Sequence, residues 1–136
     1  MVEIEIRYEG DLHTTAIHGP SHTELATDAP KDNMGRGESF SPTDLVATAL
    51  GTCIATTMDI VARRHSFSAG GTRVRVGKHM VSEPTRRIGK LEVAIDMPRG
   101  LSAEQRALME RTAHTCPVAE SLSPAIEVPI DFRYAD

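Results

Sequence analysis

One long stretch of the chain carries almost no charge. Between residues 42 and 58 the only charged side chain is Asp44. Ser41 is a favourable helix N-cap, Pro42 suits the first helical position, and Asp44 complements the positive end of the helix dipole. The sequence therefore predicts a helix from Pro42 to about His65. Because its first half is apolar nearly all round, we expect this helix to lie centrally in the fold.

Segments that alternate apolar and polar residues flank this helix. Alternation with period two is typical of strands that have one buried and one solvated face, and sheets of such strands are usually antiparallel. Pro129 cannot donate a ladder hydrogen bond, so we expect its strand at a sheet edge. The predicted strands lie at residues 2–8, 73–78, 91–97 and 126–134, with weaker ones at 12–18 and 23–27.

Glycine, proline and capping residues divide the rest of the chain. Residues 28–42 are rich in Gly, Pro and polar side chains, which indicates a loop. Ser102 and Gln105 have the spacing of a capping box, so a second helix is expected from there to about Thr115. A third, short helix is expected from Pro117.

The size and charge of the chain limit its class. A chain of 136 residues suits one domain, here residues 1–136, and helices combined with alternating strands indicate an α+β fold. A net charge of −4 argues against nucleic acid or an anionic membrane as the main partner. The charged, alternating N-terminus does not resemble a signal peptide, and threonines interrupt the longest apolar run. We expect a cytoplasmic protein.

The two cysteines are the candidate reactive groups. Cys53 lies within the predicted central helix, where the next turn of the helix offers only hydroxyls. Cys116 precedes Pro117 at a predicted helix N-terminus, where unpaired N–H groups favour a thiolate. Cytosolic cysteine pairs are often catalytic or redox-sensing, whereas single free cysteines often only pack in a core. Both alternatives stay open from the residues alone.

Other candidate sites are weaker. The six histidines show no spacing typical of a metal site. The segment Gly35-Arg36-Gly37 lacks the Lys-Ser/Thr ending and the preceding strand of a phosphate-binding loop. Ser41 has no evident His and acid partners, and helix capping accounts for it.

Two segments resemble the cysteine motifs of a known family. Ser41–Cys53, read SPTDLVATALGTC, is similar to the first cysteine motif of the OsmC/Ohr proteins, the osmotically induced and organic hydroperoxide resistance proteins. Thr115-Cys116-Pro117-Val118, followed by Ser121-Leu122, is similar to their second motif. The order of predicted strands and helices agrees as well, so the resemblance spans essentially the whole chain.

The resemblance implies a fold, an assembly and an activity. It implies an OsmC-like α+β fold in which antiparallel sheets of two intertwined subunits wrap long central helices, and hence a homodimer. It implies peroxiredoxin-like, thiol-dependent reduction of organic hydroperoxides in oxidative stress defence. Cys53 would be the attacking thiol and Cys116 its resolving partner, reset by an external dithiol reductant. No metal or bound cofactor is expected.

The chain departs from the family pattern beside the first cysteine. The family's hydroperoxide reductases pair an arginine near the N-terminal turn with a glutamate ten residues before that cysteine, and here that position is Thr43. The early turn, residues 8–12, contains no arginine. Arg36 and Glu38 in the loop are the candidate replacements for tuning the thiolate. The alternative function is an OsmC-fold binding or scavenging module with little peroxidase turnover.

Overall fold

The computed structural model describes every residue from Met1 to Asp136. The chain divides into two compact units, Met1–Val46 and Ala47–Asp136. The longest helix, α1 (Pro42–Arg64), begins in the first unit and continues in the second. The expectation of a single domain over residues 1–136 stays a prediction.

The first unit is a three-stranded antiparallel sheet. Its strands pair in chain order, β1 with β2 and β2 with β3. Asp11 and Leu12 join the first two strands with φ angles of 55° and 63°, the paired positive values of a tight hairpin turn. A 3₁₀ turn at Lys31–Asn33 interrupts the loop that leads to α1. The strand bounds are β1 (Ile4–Gly10), β2 (His13–His18) and β3 (Glu24–Asp28).

Within this chain, β1 buries neither of its faces. Its alternating pattern predicts one covered face, but all residues of β1 before Gly10 are exposed. The apolar members of the pattern are 54% to 67% exposed, namely Val2, Ile4, Ile6 and Tyr8. In addition, β1 is an edge strand of its sheet, so only one of its two hydrogen-bonding edges is paired.

The second unit contains a mixed three-stranded sheet and three helices. Strand β5 lies between β4, which pairs with it antiparallel, and β6, which pairs with it in parallel. The expectation of antiparallel pairing throughout is wrong for β6, because residue alternation does not encode the direction of a neighbouring strand. The bounds are β4 (Arg73–Val81), β5 (Arg87–Asp96), α2 (Ala103–Ala113), α3 (Pro117–Ser121) and β6 (Ile130–Arg133).

The edge position expected from Pro129 is confirmed, since β6 is the outer strand of this sheet. The regular strand is shorter than the predicted 126–134. Before Ile130, the pairing continues through an isolated bridge between Glu127 and Lys90 and a hydrogen bond from the Val93 amide to the Pro129 carbonyl at 2.9 Å. Proline at position 129 offers no N–H, which is consistent with regular pairing beginning after it.

The core of the second unit is aliphatic. One face of α1 supplies Leu50, Ile54 and Met58, all fully buried, and β5 supplies three residues on alternating positions, namely Leu91, Val93 and Ile95.

The opposite face of α1 is exposed at every fourth residue, namely Thr48, Thr52, Thr56 and Ile60. Within the single chain, α1 is therefore covered on one face, and its expected central position is met on that face only. By length and composition alone α1 could also span a bilayer, a test that core helices of soluble proteins pass too.

Both predicted helix starts are confirmed by their hydrogen bonds. The Ser41 hydroxyl accepts the Asp44 amide at 3.1 Å, and the Asp44 carboxylate accepts the Ser41 amide at 2.9 Å. Ser102 and Gln105 form the equivalent capping box at the start of α2. These reciprocal bonds satisfy donors that a helix N-terminus otherwise leaves free.

Candidate functional site

Cys53 lies in the middle of α1 and is partly accessible. Its side chain is intermediate in burial, between the exposed Thr52 and the fully buried Ile54. Its sulfur is in hydrogen-bonding contact with the hydroxyl of Thr57 on the same helix, with 3.9 Å between Cys53 Sγ and Thr57 Oγ1. The four-residue spacing places both side chains on one helix face.

Gly51, two residues before Cys53, allows β4 to pack closely on α1. A Cβ atom at position 51 would lie 3.0 Å from Cγ2 of Val76 and 3.4 Å from Cγ1 of Val74. Two valines of strand β4 therefore pack directly on the α1 backbone two residues before Cys53. The groups that approach Gly51 closely are side chains, not another backbone segment.

Cys116 is the N-cap of α3 and is fully buried. Its backbone is extended, with φ −70° and ψ 149°, and Pro117 occupies the first helical position. The sulfur accepts a hydrogen bond from the Ala119 amide at 3.4 Å. The predicted position at a helix N-terminus is thus confirmed.

The expected thiolate character of Cys116 is wrong. Burial is the largest effect on this group and raises the pKa of the Cys116 thiol, while the Ala119 amide lowers it by less. The Cys53 side chain raises the Cys116 pKa further, through a side-chain hydrogen bond and through charge. The amides of Ala119 and Val118, at the start of a five-residue helix, do not compensate for complete removal of the thiolate from water. Both cysteines are free thiols.

Arg36 and Glu38 lie in the first unit and line a polar cleft there. The cleft has a volume of about 280 Å³, and its other lining residues are Glu9, Gly10, Asp11, His13 and Asp28. Their role in tuning the Cys53 thiolate stays a prediction.

A histidine–aspartate pair, which the sequence analysis did not single out, forms part of this cleft. His13 Nδ1 and Asp28 Oδ1 are 2.7 Å apart, and Asp28 is buried. The Asp28 hydrogen bond is the main cause of a raised His13 pKa. The two residues are direct partners in the β2–β3 ladder. The predicted strand 23–27 ends one residue before Asp28, which falls in the predicted loop 28–42, so the contact could be found only once the strand is extended by one residue and its register is known.

Comparison with known proteins gives a family and several similar structures. The family model described as "OsmC-like protein" matches residues 35–131. A Psychrobacter arcticus 273-4 structure, provisionally described as an osmotic stress induced and detoxification response protein, is 41% identical, with TM-score 0.91 over 98% of this chain and 96% of that one. No curated protein sequence matches the chain at a significant level.

Two less similar structures share the fold. An organic hydroperoxide resistance protein OsmC from Legionella pneumophila is 14% identical, with TM-score 0.79 over 97% of this chain and 96% of that one. An organic hydroperoxide resistance protein from Elizabethkingia anophelis is 20% identical, with TM-score 0.76 over 98% and 96%. The α+β fold expected from the sequence is confirmed by these likenesses. With a family model covering most of its length and a 41% identical relative, the chain belongs to the OsmC-like family.

Proposed function

We propose that this protein reduces organic hydroperoxides with a two-cysteine redox pair, in defence against oxidative stress. Membership of the OsmC-like family supports a peroxide-related stress role, and two structures of the same fold are described as organic hydroperoxide resistance proteins. Within the chain, the proposal is supported by the effect of Cys53 on the second thiol, since the Cys53 side chain contributes to the raised pKa of Cys116.

The different burial of the two thiols supports a division of roles. Cys53 is intermediate in burial, whereas Cys116 is fully buried, so Cys53 is the more accessible of the two residues. Reactivity towards peroxide requires a thiolate that the oxidant can reach. Cys53 is therefore the proposed attacking thiol and Cys116 the resolving thiol.

The proposed reaction has three steps. The Cys53 thiolate attacks the terminal oxygen of the hydroperoxide, the one that carries the hydrogen, and the O–O bond breaks. The alkoxide leaves and takes up a proton to give the alcohol. Cys53 is then a sulfenic acid. The Cys116 sulfur attacks the Cys53 sulfur, a disulfide forms, and the sulfenic hydroxyl leaves as water with the Cys116 proton. An external dithiol reduces the disulfide by thiol exchange and is itself oxidised.

We also propose that the functional form is a cytoplasmic homodimer. The exposed apolar stripe of β1 is an unusual feature for a monomer, because solvent-exposed edge strands normally carry charge or polar residues. The 47% exposed Ile60 lies on the exposed face of α1. A second copy of the chain is the proposed cover for both surfaces. Sedimentation of the wild type and of Ile6→Lys tests this, with a shift towards monomer expected for the variant.

Arg36 and Glu38 are the proposed tuning residues, in place of the arginine and glutamate usual in the family. Arg36→Ala should then slow peroxide consumption at about pH 7, where thiolate stabilisation limits the rate. Lys31→Ala, in the same loop, is the matched control. Equal rates for both variants and the wild type would remove Arg36 from the mechanism.

The central experiment follows consumption of an organic hydroperoxide in the presence of a dithiol. The wild type should turn over repeatedly, and Cys53→Ser should lose activity by at least about a hundredfold. Cys116→Ser should form a sulfenic acid at Cys53, which a dimedone-type probe traps, without forming the disulfide. A Cys53→Ser variant as active as the wild type would refute the assignment.

The second candidate function is an OsmC-fold binding or scavenging module. Thr43, at the position of the family's glutamate, favours it. A module of this kind would react with one equivalent of peroxide and stop, even with excess dithiol. Repeated turnover excludes it.

A further inference from the structure

We propose that Thr57 is a positioning residue that stabilises the Cys53 thiolate by donating a hydrogen bond to its sulfur. The inference rests on the proposed function, in which Cys53 attacks the substrate. Its basis is the 3.9 Å separation of Thr57 Oγ1 and Cys53 Sγ across one turn of α1. A hydroxyl can donate to a thiolate, whereas a thiolate can only accept, so deprotonation of Cys53 fixes the direction of this bond.

The Thr57 hydroxyl is turned towards the sulfur and not towards the helix backbone. Threonines in helices commonly donate to the carbonyl four residues earlier. Thr52 does so with the Thr48 carbonyl at 2.9 Å, and Thr112 with the Leu108 carbonyl at 2.7 Å. The hydrogen-bond partner of the Thr57 side chain is Cys53 instead. Thr57 is half-buried, which strengthens a hydrogen bond to an anion.

The helix around Cys53 carries no charge for several turns. On α1 itself, no charged residue occurs between Asp44 and Asp59. From α3, Cys116 interacts with it as a thiol with a raised pKa. On the face of β4 whose valines contact Gly51, the next residue in the alternation is Lys78. Thr57, one helical turn from Cys53, is the residue whose side-chain donor contacts the sulfur.

The test measures alkylation of Cys53 by iodoacetamide, mapped to its peptide by mass spectrometry, in the full chain without peroxide. Thr57→Val keeps the β-branched shape and removes the hydroxyl, and Thr57→Ser restores it. Thr57→Ala is a second hydroxyl-free variant should Val be too bulky. Thr56→Val, at the exposed neighbouring position, is the control. Each rate is measured at about pH 7 and about pH 11, below and above ordinary thiol ionisation.

Thr57→Val and Thr57→Ala should be alkylated about three- to tenfold more slowly at about pH 7, with the difference vanishing at about pH 11. Thr57→Ser and Thr56→Val should match the wild type. Equal rates for the wild type and both hydroxyl-free variants at about pH 7 would overturn the proposal. So would a slowing that persists at about pH 11, since that indicates altered access. Alkylation needs no turnover, so loss of the proposed peroxidase function would leave this result interpretable.

Discussion

Cys116 accepts a hydrogen bond from the backbone amide of Ala119, with 3.4 Å between Sγ and N, and yet the pKa of its thiol is raised. Burial outweighs the helix N-terminus here, because the sulfur is entirely removed from water. At neutral pH Cys116 therefore holds its proton. This agrees with a resolving role, in which the proton leaves together with the sulfenic hydroxyl.

The contrast between the two thiols predicts selective labelling. In the native reduced protein, iodoacetamide should modify Cys53 at least about ten times faster than Cys116, because only Cys53 is accessible. Peptide mapping over time measures both rates in one sample. In denaturant the two rates should converge. Native labelling of Cys116 at the same rate as Cys53 would contradict the burial on which its role depends.

Gly51 should tolerate little added volume. A Cβ added at position 51 would lie 3.0 Å from Val76 Cγ2, and Gly51→Val adds two methyl groups beyond it. This variant should therefore lower the free energy of unfolding by about 1–3 kcal/mol. Gly51→Ala should change it by less than about 1 kcal/mol, because the gain in helix propensity offsets the crowding. Urea denaturation measures both.

A double-mutant cycle identifies the contact. Val76→Ala removes the methyl group nearest to position 51, so Gly51→Val should cost less in that background than in the wild type. If Gly51→Val lowers the free energy of unfolding equally in both backgrounds, the strain does not arise from the contact with Val76.

The His13–Asp28 pair should make stability depend on pH in a defined direction. Asp28 raises the His13 pKa above the ordinary 6.5, so the folded protein binds the proton more tightly than the unfolded chain. The stabilising contribution is present below about pH 6.5 and is lost as the pH rises through the folded pKa. Titration of the His13 ring protons by NMR should give a raised midpoint in the wild type.

Asp28→Asn should lower the His13 midpoint and remove this pH dependence. Asp11→Asn is the control, since it removes a carboxylate from the same cleft and asparagine tolerates the φ of 55° at that position. A midpoint shift as large for Asp11→Asn as for Asp28→Asn would show that general cleft charge, not the 2.7 Å pair, is responsible.

Arg106 should stabilise the last residues of the chain. Its guanidinium lies 4.3 Å from the centroid of the Tyr134 ring and donates from Nη2 to the Asp136 backbone oxygen at 2.9 Å. Arg106→Gln should lower the free energy of unfolding by about 1 kcal/mol, the sum of a cation–π contact and partly exposed polar contacts. Urea denaturation of the exposed control Arg111→Gln should show no comparable change. Equal effects would contradict a specific role for Arg106.

Much of the fold follows from local sequence rules. Ser41 with Asp44 and Ser102 with Gln105 begin two helices through bonds made within four residues, so the signal is local. Cys116 before Pro117 marks the third helix for the same reason. Pro129 predicts an edge position because it has no amide to donate. The parallel pairing of β5 with β6 depends on chain connections that residue alternation does not encode.

Two features of the chain could not be predicted from local sequence rules, namely the direction of the Cys116 pKa shift and the contact of His13 with Asp28. The sequence placed Cys116 at a helix N-terminus, but the sign of its pKa shift was decided by burial, which depends on every residue packed around the sulfur. The contact of His13 with Asp28 depends on the register of two strands.

The amino-acid sequence by itself determined the helices, most strands, the family and the identity of the two thiols, because caps, alternation and motifs act over a few neighbouring residues. Only the tertiary structure decided that one thiol is buried and the other accessible, that the face of α1 with Thr52 and Thr56 is exposed, and that Thr57 faces Cys53. These properties depend on desolvation and on contacts between residues far apart in the chain, and therefore on packing.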